Sequence, residues 1–121
     1  VKSRWMTYQD KRIFISDFSD LGYDAAAVGA ECQAIMSALL NEPPKSVLAI
    51  VNVEGTFVND KIIGAFRQLL PITNKYVKRR AVIGLSGFRR HFVFLVSRFV
   101  GNVDFHAFDT LYDAQSWIVR D

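Results

Sequence analysis

Five consecutive residues, Ser86-Gly87-Phe88-Arg89-Arg90, set a hydroxyl, a glycine and two guanidinium groups directly after the apolar run Ala81-Val82-Ile83-Gly84-Leu85. A turn from a buried strand into a helix presents free backbone amides that attract anions. It also opens on the end of an α/β sheet where ligands bind. Arg89 and Arg90 in a first helical turn oppose the helix dipole, at about 0.3–1 kcal/mol each when exposed. Two cations so placed point to use against an acidic protein surface or a phosphate. The plainer alternative is that they solubilise the chain or pair with local acids. One unit earlier, Val53-Glu54-Gly55-Thr56-Phe57-Val58-Asn59-Asp60-Lys61 makes the same strand-to-helix crossing. Gly55 permits a turn closed to other residues, and Asn59 or Asp60 can cap the helix. In a parallel sheet both turns open on one end. Thr56, Asn59, Asp60, Lys61, Ser86, Gly87, Arg89 and Arg90 therefore make one candidate surface for a partner or ligand, although ordinary turn and cap chemistry also accounts for the first four.

Catalytic chemistry has little to work with. His91 and His106 fall on different elements, and neither H-x-x-x-H nor H-E-x-x-H spacing occurs for a metal. Each reads more simply as a surface or packed histidine. Cys32 sits in an apolar helical stripe, where a free cysteine behaves as a small hydrophobe. No G-x-S-x-G, Walker loop or G-x-G-x-x-G is present. The expectation is a chain that is not an enzyme, with no catalytic residues, no metal site and no cofactor.

The elements that position these residues alternate along the chain. Arg12–Phe18 is short, β-branched and aromatic, and reads as a strand. Trp5–Tyr8 can pair with it across Gln9-Asp10-Lys11. Asp24 opens a helix whose Ala25, Val28, Cys32, Ile35, Met36, Leu39 and Leu40 recur at spacings of three and four, and Asn41 with Pro43-Pro44 stops it. Ser46–Val53 is nearly uninterrupted apolar, as in a strand covered on both faces. A second helix follows the Asn59-Asp60 cap, with Pro71 predicted to end it, and Asn74–Arg80 reads as a basic lead-in to the strand Ala81–Leu85. A third helix is predicted over 88–100 and a last strand over 103–108. Asp109 is predicted to cap a final helix, supported by Thr110 and Asp113, with Leu111, Ala114, Trp117 and Ile118 packing inward.

The order β-β-α-β-α-β-α-β-α predicts an α/β fold: a single-domain layer sandwich over 1–121. Its sheet would be mixed and mostly parallel, with about five strands and four helices. The first hairpin strand should be its antiparallel edge.

With 121 residues, 50% apolar and 22% charged, the chain suits one domain and is too apolar for disorder. The lone cysteine argues against a disulfide scaffold and an oxidising compartment. No apolar run approaches the roughly 20 residues of a membrane span, and Val1-Lys2-Ser3-Arg4-Trp5 is not a signal-peptide core, so a cytoplasmic location is expected. The formal net charge of +3 conceals a split. Residues 61–103 hold nine Lys or Arg and no acid, whereas the remainder holds six basic and twelve acidic residues. Folding should divide the nine cations between opposite ends of the sheet, leaving Lys61, Arg89 and Arg90 near the candidate surface. The aromatics of this stretch, Phe88, Phe92 and Phe99, fall on a core-facing stripe, which argues against nucleic-acid binding.

Once these segments are placed, the chain resembles the STAS-like (SpoIIAA-like) superfamily, closest to its compact bacterial single-domain branch. The residues that carry the resemblance are Asp17-Phe18-Ser19, Pro43-Pro44-Lys45-Ser46-Val47-Leu48, Val53–Asn59, Asn74-Lys75-Tyr76-Val77-Lys78, Ala81–Gly87 and Phe108-Asp109-Thr110-Leu111-Tyr112-Asp113-Ala114, spanning residues 8–119. The resemblance implies a non-catalytic regulatory or adaptor domain. Sporulation anti-sigma-factor antagonists of this superfamily are switched by phosphorylation of a serine at the start of the second helix. Here Asn59-Asp60-Lys61 stands at that point and Thr56, the nearest hydroxyl, comes earlier, so the phosphorylatable serine of that pattern is lacking. Asp60 would act as a fixed negative charge or as an ordinary cap.

A protein partner is thus expected, acidic if Lys61, Arg89 and Arg90 steer it. The alternative is a small anionic or lipid ligand held between helix and sheet, as in the related lipid-transfer (CRAL-TRIO) domains. A filled core favours the first, and an apolar pocket beneath the second and third helices favours the second. A sheet edge or the third helix could also support a homodimer.

Overall fold

The chain enters through a hairpin whose turn is as short as a turn can be. Strand β1 (Arg4–Tyr8) pairs antiparallel with β2 (Lys11–Asp17), Tyr8 lying opposite Lys11. Only Gln9 and Asp10 connect them, at φ of 50° and 65°. That is the left-handed pair whose twist matches the flanking strands. Lys11, read from the sequence as a turn residue, is the first residue of β2.

The structure, a computed structural model, describes residues 1–85 and 105–120. Within these, β3 (Val47–Asn52), β4 (Val77–Ile83) and β5 (Phe105–Phe108) continue the sheet, in the order β1-β2-β3-β4-β5. The pairs β2·β3, β3·β4 and β4·β5 are parallel, so β1 is the antiparallel edge. Three helices are described: α1 (Ala25–Leu39), α2 (Asp60–Thr73) and α3 (Leu111–Ile118). The helix predicted over 88–100 lies outside the described residues, as do Ser86, Gly87, Arg89, Arg90 and His91.

Both faces of the sheet are covered. Phe14, Phe18, Val51 and Val82 pack with Val28, Cys32 and Ile35 of α1 and Ile62, Phe66 and Leu69 of α2. On the other face Ile13, Ile15, Ile50, Ala81 and Ile83 meet Ala114, Ile118 and Val119. The change of face between Ile13, Phe14 and Ile15 is the two-residue period of a strand. Two-sided cover is why β2 and β3 read as continuous apolar runs.

Four details differ from the sequence reading. Pro71 lies inside α2, which runs on to Thr73. A proline this near a C-terminus forfeits one bond to Arg67, and the Asn74 amide still donates to Leu70 at 3.0 Å. Thr110, not Asp109, caps α3, its hydroxyl accepting from the Asp113 amide at 3.1 Å. Leu111 stays exposed, and Val119, just past the helix, is buried in its stead. Finally, β4 begins at Val77, so the basic lead-in is itself strand. Lys78 is exposed, Arg79 reaches the carbonyls of Ile118 and Arg120 at the C-terminal end of α3, and Arg80 is buried on the opposite face.

Candidate functional site

Past the ends of β2 and β3 the two segments stay stitched together. Phe18 donates to the Asn52 carbonyl at 2.8 Å, Asp20 to Glu54 at 2.7 Å, Gly22 to Gly55 at 3.1 Å and Phe57 to Gly22 at 2.8 Å. Thr56 rivets the crossing. It is 2% exposed, and its hydroxyl accepts from the Leu21 amide at 2.9 Å while donating to the Phe18 carbonyl. Two glycines allow the close approach. Gly55 (φ +74°) would carry a Cβ 3.2 Å from Asp20 Cα, and Gly84 (φ +80°) one 2.6 Å from Glu54 Cα. The result is a rigid rim at the C-terminal end of the parallel strands.

Two helix starts stand side by side on this rim. Asp24 caps α1, accepting from the Ala27 amide at 3.0 Å, and Asn59 caps α2, accepting from Ile62 at 2.9 Å. The Asn59 amide group also donates to the Tyr23 carbonyl at 3.4 Å, tying the two starts together. Tyr23, Asp24, Asn59, Asp60 and Lys61 line a shallow groove there. Tyr23 and Phe57 are 65% and 48% exposed, with their rings in contact at 5.2 Å between centroids.

The predicted residues therefore divide. Asn59, Asp60 and Lys61 sit together at the groove, Thr56 is buried beneath it, and Ser86, Gly87, Arg89 and Arg90 lie outside the described residues. Asp20, Asp24, Glu54, Asp60 and Lys61 are all exposed on these crossings, so acids outnumber bases among the described rim residues. Helix caps and first turns favour carboxylates, which accounts for Asp24 and Asp60 at these two helix starts. The Tyr23–Phe57 pair was missed because it joins residues from separate crossings, and the signal available was one aromatic in each.

Two acids anchor the neighbouring edge. Burial pushes the Asp17 carboxyl up, but the hydroxyl and amide of Ser19, with Arg4 and Lys2, outweigh it and leave the group below its ordinary 3.8. Glu31 is also pushed up by burial and held below 4.5 by the amides of Lys2 and Ser3 and the Ser3 hydroxyl. Cys32 lies in the core, where burial and then Glu31 push its thiol up to about 11, which makes it a poor nucleophile. His106 is exposed on β5, its ring against Trp117 at 4.4 Å. Among the described residues no three His, Cys, Asp or Glu gather as metal ligands, and no helix is long and apolar enough to cross a membrane.

A second feature lies beneath α1 and α2. A cavity of about 30 Å³ lies between them and the sheet. Phe18, Ile35, Leu39, Phe66 and Leu69 contribute its apolar walls, and Ser16, Thr73 and Arg80 its polar ones. Arg80 is 2% exposed; its Nη2 donates to Thr73 Oγ1 at 3.2 Å, and its Nη1 has no hydrogen-bond partner among the described residues. Burial pushes the guanidinium down to about 10, so it remains charged at neutral pH. Sequence reading missed this residue because it began the strand at Ala81. Extended to Val77, the two-residue period puts Arg80 on the face of buried Val82.

Neither a comparison with protein-family models nor one with curated proteins gives a match. Among solved structures, the chain is similar to an uncharacterised protein of the DUF3478 family with a SpoIIAA-like fold from Shewanella loihica PV-4. The TM-score is 0.70 and the identity 16%, with 96% of this chain and 91% of that one covered. With the sheet order, the antiparallel edge and the helices on both faces in agreement with the resemblance read from the sequence, this chain has a SpoIIAA-like fold.

Proposed function

We propose that this chain is a non-catalytic binding domain, a regulatory or adaptor module, that docks a protein partner on the rim formed by residues 20–24 and 54–61. The observation that carries this is the exposed Tyr23–Phe57 pair, mounted on loops that Thr56 and the backbone bonds hold fixed. Aromatic side chains on a rigid frame lose little entropy on binding and are typical centres of interface energy. Asp20, Asp24, Glu54 and Asp60 are exposed on the same crossings as the pair, which suits a partner with an apolar spot flanked by Lys or Arg. Rim charges act mainly on association rate and salt dependence.

The test is affinity capture from the native host with the wild-type chain, a Tyr23→Ala/Phe57→Ala double variant and a Tyr112→Ala control from the exposed part of α3, followed by titration with the purified captured protein. The double variant should bind at least ten-fold more weakly and the control like wild type. Binding should also weaken with added salt. Equal binding by all three refutes the assignment.

One observation favours a second reading, a small anionic ligand held between the helices and the sheet: the buried guanidinium of Arg80 facing the cavity.

A further inference from the structure

A charged group seldom stays in an apolar interior without a counter-charge, because desolvation costs several kcal/mol that only a paired partner recovers. Buried polar atoms in folded proteins are nearly always hydrogen-bonded, so an exception calls for an explanation. Arg80 is such an exception. Thr73 takes one of its nitrogens at 3.2 Å, Nη1 has no partner among the described residues, and the residue lines the cavity. Phe18, Phe66 and Leu69 wall the cavity, and none of its described lining residues carries a carboxylate. Its volume of about 30 Å³ is room for roughly two waters, which is also the size of a carboxylate head.

We propose that this cavity binds a monocarboxylate with an apolar body, its carboxylate paired with Arg80 and its chain lying against Phe18, Ile35, Phe66 and Leu69 between α1, α2 and the sheet. The inference rests on the second reading above and is independent of the rim. Three properties select this class. A guanidinium fork matches the two oxygens of a carboxylate. A single positive charge balances a monoanion and would leave a dianionic phosphate unneutralised. The predominantly apolar lining rewards a hydrocarbon chain and would strip water from a wholly polar anion without replacing its hydrogen bonds. A chain longer than the cavity has to part α1 from α2, which it would do by replacing their side-chain contacts with its own.

The test uses the full chain with sodium octanoate, 1-octanol and sodium chloride in parallel titrations, followed by calorimetry and by NMR of the protein. Octanoate should bind saturably, shift the Arg80 guanidinium signals and give intermolecular contacts to Phe66 and Leu69. Octanol should bind at least ten-fold more weakly. Arg80→Met, which keeps the bulk and removes the charge, should cost octanoate at least ten-fold and leave octanol unchanged. Should that variant fail to fold, the shift of the Arg80 signals in the wild-type chain decides the matter alone. Asp104, an acid outside the described residues, is the control: tighter octanoate binding by Asp104→Asn would make it the counter-charge of Arg80 and overturn the proposal. Contacts from octanol to Phe66 and Leu69 with no preference for octanoate would overturn the carboxylate and leave the small-ligand reading standing. Entry of neither compound would overturn both, and a response to chloride alone would overturn the carboxylate class.

Discussion

Replacing Thr56 by valine removes one oxygen and keeps the shape of the side chain, so it isolates what that hydroxyl does for the rim. The oxygen accepts from the Leu21 amide and donates to the Phe18 carbonyl, at a position 2% exposed. Water has little access to either backbone group once the hydroxyl is gone. Leaving a buried donor or acceptor unmet costs about 1–3 kcal/mol each, and an isosteric change adds little cavity cost, so Thr56→Val should lose about 2–6 kcal/mol. Against a total stability of about 5–15 kcal/mol for a domain this size, that is a large fraction. With a urea slope of about 2 kcal/mol/M, the unfolding midpoint should fall by roughly 1–3 M. Thr56→Ser keeps the oxygen and should lose about 1 kcal/mol for the missing methyl. Urea unfolding followed by circular dichroism measures both. A Thr56→Val midpoint within about 0.3 M of wild type, or a serine variant as weak as the valine one, refutes the view of Thr56 as the rivet of the rim.

Gly84→Ala should destabilise by about 2 kcal/mol or more, because φ of +80° is strained for alanine and the new Cβ would stand 2.6 Å from Glu54 Cα; thermal unfolding reads it. Pro71→Ala should raise stability by about 1 kcal/mol by restoring an amide to the last turns of α2, visible as a higher urea midpoint. Asp17 and Glu31 have carboxyls held below 3.8 and 4.5 in the folded chain, so their contribution is complete above those values and is lost as pH falls through the lowered ones. Stability measured from neutral pH downward should drop on that acid limb, and Asp17→Asn with Glu31→Gln should flatten it.

Local pattern carried the architecture well. The three-and-four spacing from Val28 to Leu39 and the apolar run from Val47 to Val51 are complete signals of one helix and one doubly covered strand. Signals that depend on where an element starts were weaker. Pro71 can be accommodated because α2 has only two residues left to run. Four basic-stretch residues, Val77–Arg80, hide a strand because Arg79 spends its charge on the end of α3 and Arg80 spends its length inside the core. The site was legible in part. Asn59, Asp60 and Lys61 were placed by cap chemistry, which is local, whereas the Tyr23–Phe57 contact and the Arg80 cavity arise only when separate crossings fold together. A charge count gives no positions: among the described residues the fold sends Lys61, Arg79 and Arg80 to three different surroundings.

Docking on the Tyr23–Phe57 rim is tested most directly by amide chemical-shift mapping of the labelled chain against its captured, purified partner. Perturbations should gather at residues 20–24 and 54–61 and shrink as salt is added. Perturbations gathered instead around His106, Tyr112 and Trp117, with the rim unmoved, would contradict it.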